Sequence, residues 1–501
     1  MLVFAGLVSI FLFPIGLSAQ TTTANATDLG KISSVEVVRQ MGLGWNLGNT
    51  MECAGDWINK GAVHNFETAW GNPDTTKEMI DAIKDAGFKS IRIPVAWSNM
   101  MGDNYTINPA LLERVKQIVD WALDDGMIAI INIHWDGGWW SKFPVEYDKS
   151  MKRYTGMWSQ IAGYFKDEPD SLIFESLNEE GCFGDVWNRY GGENPTQRQK
   201  AYGILNDINQ AFVDLVRKSG GKNAQRHLLI AGYCTDIDLT TDADFLMPKD
   251  PQNHCIVSVH YYTPYTFAGL EKDESWGKAR PTWGKKEDYD ELESNMQKLK
   301  VHFLDKGVPV IVGEYGATLK AKDPESVRRY ILAVAQKVYR MGMCPMLWDP
   351  GQHFNRKTLV FNDPELLDGF QKIERGIRTA EGEYDKDQDA PAAMNDSIPA
   401  DILREAKKDT ASPEGIEYEK QFSSKIGDDL MGFMRVCTLE TAQTKDFTIV
   451  LKIEKSGNIT AVYTGPKDPV AACVAGKLSN EKCPKPPFAP YYELVDMRMK
   501  D

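Results

Sequence analysis

The chain has 501 residues, 42% of them hydrophobic and 26% charged, the balance of a globular protein long enough for two or three domains or for one large barrel with an appendage. Its net charge of −14 argues against nucleic acid or another polyanion as partner and is compatible with a neutral substrate.

Met1 to Ala19 is apolar throughout, and Leu17-Ser18-Ala19 resembles the small-residue cleavage site of an export signal, although the usual basic start is missing. The alternative is an uncleaved anchor, and either way the body is expected outside the cytoplasm, secreted or at the periplasm or cell surface. No later segment is apolar enough to span a membrane. From about residue 40 to 375, apolar runs alternate with helical patterns. The expected strands are Gly42 to Asn46, Ser90 to Val95, Met127 to His134, Leu172 to Leu177, His227 to Gly232, His254 to Tyr262, Val308 to Glu314 and Met343 to Trp348. The expected helices are Thr75 to Ala86, Pro109 to Asp124, Ser150 to Phe165, Gln197 to Arg217, Tyr289 to Asp305, Pro324 to Tyr339 and residues 364–377. Asn72-Pro73-Asp74 and Asp323-Pro324-Glu325 are helix starts, and Gly87, Gly126 and Gly307 are helix stops before strands. Strand–helix alternation implies a parallel sheet, and eight such units imply a closed (β/α)8 barrel, a TIM barrel. No GxGxxG or GxxxxGK[ST] motif follows the first strand, which removes the usual nucleotide-binding folds.

The expected domains are a signal peptide at 1–19, a barrel at 35–377, a linker at 378–420 and a small α+β or β-rich module at 421–501. Glu381 to Pro391 is acidic and polar, with one short helix expected at Ile402 to Lys407. In the module, Phe447 to Ile453 and Ile459 to Tyr463 flank a Ser456-Gly457-Asn458 turn as a hairpin, and a last strand falls near Tyr491 to Met497. The eight Cys form no CxxC or Cys/His cluster, so a zinc site is not expected. Cys255 and Cys344 begin apolar runs and read as small buried hydrophobes. Cys437, Cys473 and Cys483 are the bridge candidates.

Two glutamates stand where apolar runs end: Glu179 in Leu177-Asn178-Glu179-Glu180, and Glu314 in Val312-Gly313-Glu314-Tyr315-Gly316. In a barrel of this type, chemistry projects from the C-terminal strand ends. Those ends also carry Arg92, His134, Asn178, His260, Tyr262 and Trp348. A pair of carboxylates so placed suits cleavage of a glycosidic bond, with one acting as acid and the other as nucleophile or base. Glu179 suits the acid, since a neighbouring carboxylate raises its pKa. Glu314 suits the nucleophile, held ionised by Arg92 and oriented by a Tyr hydroxyl. Asn178 can bond a sugar 2-hydroxyl, and Trp348 offers a stacking face. Carboxyls about 5–5.5 Å apart retain configuration and about 6.5–9.5 Å apart invert it.

These motifs resemble glycoside hydrolase family 5, and within it the bacterial endo-β-1,4-glucanases. The resemblance rests on Gly44-Trp45-Asn46-Leu47-Gly48-Asn49-Thr50, Glu67-Thr68-Ala69-Trp70-Gly71-Asn72-Pro73, Ile91 to Val95, Asn132-Ile133-His134, Phe174 to Glu179, Val259 to Pro264 and Gly313 to Gly316, in family order over residues 40 to about 360. It implies a retaining mechanism with Glu179 as acid/base and Glu314 as nucleophile, surrounded by Arg92, His134, Asn178, His260, Tyr262 and Trp348. It also implies no metal or cofactor, a β-glucan polysaccharide as partner and a monomer. Two departures stand out. Many members have Pro after the acid/base glutamate, where this chain has Glu180. Many carry a second His after the position of His134, where this chain has Trp135, followed by Asp136-Gly137-Gly138-Trp139-Trp140. Those Trp residues read either as cleft lining or as a packed lid, and a change there is compatible with xyloglucan, lichenan or mannan as substrate. The rival of a different class is a non-catalytic glycan-binding barrel. The C-terminal module resembles small domains of bacterial envelope proteins, and packing or surface attachment is its expected role.

Overall fold

The computed structural model describes residues 29–179, 183–192, 194–376, 379, 393–440, 445–455, 457–479, 481 and 483–498. The apolar leader at 1–19, Glu180 and residues 380–392 of the expected linker lie outside the described residues.

The eight expected strands form and close on each other. They are β1 (Gly44–Leu47), β2 (Ser90–Ile93), β3 (Ile128–Asn132), β4 (Leu172–Glu175), β5 (Leu228–Ala231), β6 (Cys255–Tyr261), β7 (Val310–Tyr315) and β8 (Cys344–Asp349). Neighbours pair in parallel in sequence order, and β8 returns to β1 with Asn46 opposite Trp348. This is a (β/α)8 barrel. The alternating helices are α1 (Ser34–Met41), α2 (Lys77–Asp85), α3 (Pro109–Asp124), α4 (Tyr147–Tyr164), α5 (Pro195–Lys218), α6 (Lys286–His302), α7 (Pro324–Arg340) and α8 (Pro364–Glu374). Of the two expected starts, Asp323-Pro324-Glu325 opens α7, whereas α2 begins after Asn72-Pro73-Asp74, at Lys77, with Thr76 as its cap. Asn108 caps α3 and Asp323 caps α7, each ahead of a Pro in the first turn that has no N–H to satisfy.

The two ends of the barrel differ in chemistry. At the N-terminal end, Val37, Val38 and Met41 of α1 join Leu29, Ile128, Ile173, Ile256, Ile311, Cys344 and Met346 in one apolar cluster, so α1 plugs that end. At the C-terminal end the strands carry polar side chains inward: Asn46, Arg92, Glu175 and Ser258 are all fully buried. The register between β6 and β7 shifts at Val259/His260, and that between β7 and β8 shifts between Val312 and Tyr315. Such irregularities re-aim side chains, and these fall on His260 and Glu314. Gly313 is needed there, because a Cβ on it would come 2.8 Å from Ser258 Oγ.

A second compact unit comprises Trp283–Asp290, Arg328–Ala333 and Ile377–Asp501. Its sheet contains β9 (Ala393–Asn395), β10 (Phe447–Ile453), β11 (Ile459–Gly465) and β12 (Tyr491–Met497), in the order β9-β11-β10-β12. Strands β10 and β11 form the expected hairpin. Its helices are α9 (Ala400–Ala411), α10 (Pro413–Glu440) and α11 (Pro469–Leu478), so the region 400–420, read as linker, is helical. Tyr418, Phe422 and Ile426 recur every four residues along α10 and bury one stripe against Ile449, Leu451, Val470 and Val474. A disulfide joins Cys437 to Cys473, while Cys483 is a buried free thiol. Cys344 is free and buried, as expected, Cys255 is free but half-buried, and Cys234 is disulfide-bonded.

Candidate active site

Arg92 is the hub. Its strand places it inside the barrel with no solvent access. Its guanidinium donates to Glu175 Oε2 (2.6 Å), Glu314 Oε1 (2.7 Å), Asn178 Oδ1 (2.8 Å) and Asn46 Oδ1 (3.1 Å). Burial disfavours its charge, but Glu175 and Glu314 outweigh that and keep it a cation. Glu175 in turn accepts from Ser258 Oγ (2.7 Å) and from Asn132 Nδ2 (3.1 Å).

Above this base sit the two predicted glutamates. Glu314 accepts a second hydrogen bond from the Tyr262 hydroxyl at 3.0 Å. Glu179 Oε1 lies 2.8 Å from His260 Nδ1, and Glu314 Oε2 lies 3.6 Å from the same nitrogen. His260 Nε2 is buried with no hydrogen-bond partner among the described residues, and Nδ1 lies between the two carboxylates. One donor atom each from Glu179, His260 and Glu314 lie within 4.8 Å of one another. That spacing also suits a metal, but Arg92 already places a cation against Glu314, so the triad suits acid–base work better. His134 stacks on Trp348 with ring centroids 5.7 Å apart and planes 4° from parallel, and Asn132 Nδ2 is 3.3 Å from His134 Nδ1. Burial, with Arg92 and His260 adding to it, holds the His134 pKa well below its ordinary value, so its ring is neutral. All eight predicted residues therefore belong to one connected network.

The electrostatics correct one expectation. Burial works to raise both glutamates. For Glu179, burial is the largest single effect and raises the carboxyl, but the His260 hydrogen bond, with the charges of His260 and Arg92 adding to it, outweighs burial and holds the carboxyl below the usual value. Glu314 is enclosed, and burial, with the Glu179 charge adding to it, raises its pKa against the pull of His260 and Arg92. The Glu179 carboxyl is thus held down and the Glu314 carboxyl pushed up, the reverse of the order read from sequence. Chain neighbours such as Glu180 do not reveal that His260 stands beside Glu179.

Sequence reasoning also passed over Glu175. It sits inside the apolar run Leu172 to Leu177 that reads as a strand. An acidic residue two positions before a strand end, facing the same way as the polar ends of neighbouring strands, was the available signal. In the loop after β3, Asp136 accepts from Ser98 N, Ser98 Oγ and Trp139 Nε1, each at 2.6 Å. Arg153 lies 4.5 Å over the Trp139 ring. Trp139 is thereby tied down, and Trp135 is the ring of this loop that faces solvent, 49% exposed.

Comparison with known proteins gives a consistent answer. The family model described as Cellulase (glycosyl hydrolase family 5) matches residues 52–353. Endoglucanase A of Paenibacillus barcinonensis is 36% identical over 388 residues, covering 72% of this chain and 92% of that protein. A xyloglucan-specific endo-beta-1,4-glucanase of Bacteroides ovatus is 37% identical over 357 residues, covering 66% of this chain and 68% of that protein. Among solved structures, a broad-specificity endoglucanase from an uncultured bovine rumen ciliate superposes with a TM-score of 0.63 at 34% identity, covering 69% of this chain and 99% of that one. A lichenase from Caldicellulosiruptor sp. F32 gives 0.64 at 34% identity, covering 69% and 96%. A closed barrel, a two-glutamate centre and a family match that spans both glutamates converge: the chain belongs to glycosyl hydrolase family 5, the cellulase family, and is a glycoside hydrolase.

Proposed function

We propose that the barrel hydrolyses internal β-1,4-glucosidic bonds of cellulose or related β-glucans with retention of configuration. The observation that carries the mechanism is the short reach between the glutamates. Their oxygens flank a single imidazole nitrogen, at 2.8 and 3.6 Å. An inverting pair needs about 6.5–9.5 Å to hold a water between the sugar and its base. The related endoglucanases, the lichenase and the xyloglucan-specific enzyme support a β-glucan as substrate.

In this reading, Glu314 attacks the anomeric carbon while the bond to the departing oxygen breaks, and Glu179 gives that oxygen its proton. A water then attacks the same carbon, Glu179 takes its proton, and the Glu314 ester bond breaks. At the moment of attack Glu179 must carry a proton and Glu314 must be ionised. The donors from Arg92 and Tyr262 to Glu314 lower the cost of that arrangement, because both stabilise an ionised Glu314. Neutral His134 and Asn178 are placed for sugar hydroxyls, and Trp348 for the ring face. Catalysis belongs to the barrel, residues 35–377, and the C-terminal module serves outside the chemistry. Export of the chain is supported by its apolar leader and by disulfides, which persist in oxidising compartments. No described helix is long and apolar enough to cross a membrane.

Azide tests the roles. With an activated aryl cellobioside, Glu314→Ala plus azide is expected to give the inverted glycosyl azide, since azide attacks in place of the lost carboxylate. Glu179→Ala plus azide is expected to give the retained product, since azide intercepts the intermediate on Glu314. The opposite stereochemistry, or near wild-type hydrolysis of carboxymethyl cellulose by either variant, removes the assignment.

A further inference from the structure

One motif of the sequence, Glu67-Thr68-Ala69-Trp70-Gly71-Asn72-Pro73, supplies none of the eight site residues. It is nevertheless firmly anchored. Glu67 is buried and accepts from Arg114 of α3 through both carboxylate oxygens, at 2.9 Å from Nε and 2.8 Å from Nη2. Thr75 N donates to Glu67 at 2.7 Å, and Thr75 O accepts from Arg114 Nη2 at 2.7 Å. A bidentate ion pair that holds both backbone groups of one residue leaves this loop little freedom. From that base Asn72 reaches the barrel. Its side-chain amide nitrogen points at three carbonyls: Asn49 O (2.9 Å), Pro350 O (3.1 Å) and Gly48 O (3.4 Å).

Those carbonyls lie where the backbone ladder runs out. The last paired residues of the β1–β8 seam are Leu47 and Asp349, and the carbonyls beyond them need other donors. Arg356, 4% exposed, supplies more of them. Its Nη2 donates to Gly48 O and to Asp349 O, each at 2.7 Å, and its Nη1 donates to Thr50 Oγ1 at 3.1 Å. The Asp349 carboxylate accepts from Trp45 Nε1 at 3.1 Å and from the backbone N–H groups of Gly351, Gln352, His353 and Phe354 at 2.8–3.0 Å. Asn72 and Arg356, from different loops, thus bridge the same two strand ends.

Trp348 stands in that seam. Its register partner is Asn46, which accepts from Arg92. Its ring rests against Gly48, where a Cβ would come 3.1 Å from the ring atom Cζ2. Any shift of Gly48 against Asp349 therefore moves the ring.

We propose that Asn72 and Arg356 are positioning residues: by fastening the ends of β1 and β8 they fix the Trp348 ring at the angle at which a glucosyl ring meets it. The inference rests on the proposed reading of Trp348 as a sugar face. A displacement of about 1 Å in such a group can cost about 100-fold in rate, so a brace remote from the reacting atoms has kinetic weight.

The test is a double-mutant cycle read on an aryl cellobioside with an activated leaving group. Asn72→Asp keeps the shape and replaces the donating amide by an acceptor, and Asn72→Ala removes the amide without adding charge. Both, and Arg356→Lys, are expected to lower kcat/KM about tenfold, the scale of losing one or two hydrogen bonds. Most of the loss should fall in kcat, because a misplaced ring fits the transition state less well. In a Trp348→Ala background the same changes are expected to cost less than about twofold, since the ring they hold is gone. Asn72 is only half-buried, so its variants carry the test even where Arg356→Lys fails to fold. Equal factors in the two backgrounds, or no loss in the wild-type one, overturn the positioning role. A Trp348→Ala variant with wild-type kcat/KM overturns the sugar face itself, which is a separate outcome.

Discussion

Arg92 pairs with two carboxylates at once, and that decides what its removal does. An Arg92→Met variant leaves Glu175 and Glu314 buried without their cation. Breaking a buried pair by removing one partner typically costs about 3–5 kcal/mol. The expected outcome is a melting temperature lowered by several degrees together with a large fall in kcat. A variant that melts normally while losing activity would show that the hub is not structural. Glu179 offers a cleaner readout. Its charge raises the pKa of Glu314, so Glu179→Ala removes that push and lowers it. Glu314 must be ionised to attack, so the acid limb of the pH–rate profile should move to lower pH. An aryl cellobioside that leaves without acid help reports this directly, and an acid limb that stays put or moves up contradicts the coupling. The eight site residues were legible because each ends an apolar run. The order of the two carboxyl shifts was not, because it depends on His260 meeting Glu179 across the barrel.

At the scale of elements, periodicity located every barrel strand, but the observed strands are mostly shorter or shifted by a residue or two. β2 stops at Ile93 and β3 at Asn132, since beyond those points the chain bends to present loop side chains. Helix α10 went unread for a different reason. Acidic, polar composition upstream suggested a linker, although Tyr418, Phe422 and Ile426 already mark a helical stripe. The loop after β3 was left open between cleft lining and lid, and Asp136 shows how it is held. Burial pushes the Asp136 pKa up to about 6, against the pull of the Ser98 and Trp139 donors. A carboxylate whose folded pKa is raised favours the folded state most at low pH, and that contribution is lost as pH rises through 6. Between about pH 5 and 7 the loss is about 1 kcal/mol. Asp136→Asn removes the titrating group, so thermal or urea unfolding across this range should show a shallower decline with pH than the wild type. An unchanged slope would mean that Asp136 ionises as it does in the unfolded chain.

The whole molecule has two cores with different means of support. The barrel closes its own sheet and leaves no edge strand, and α1 seals its N-terminal end with apolar side chains. The second unit has a four-stranded sheet and a smaller core, and there the Cys437–Cys473 bridge ties α10 to α11. The bridged residues are 36 apart in sequence. In the chain-entropy account, closing a loop of that length restricts the unfolded state by about 4 kcal/mol. That is a large share of the stability of a unit this size. Replacing both cysteines by Ala should therefore lower the unfolding transition of the second unit markedly. Every residue of the proposed catalytic network lies in the barrel unit, so initial rates on soluble β-glucan at moderate temperature should persist in the same variant. Calorimetry and rate measurements on one preparation separate the two claims. A transition that does not move shows that the helices hold without the bridge. A rate that collapses while the barrel transition stays in place shows that the second unit takes part in catalysis, against the division of labour proposed for the two units.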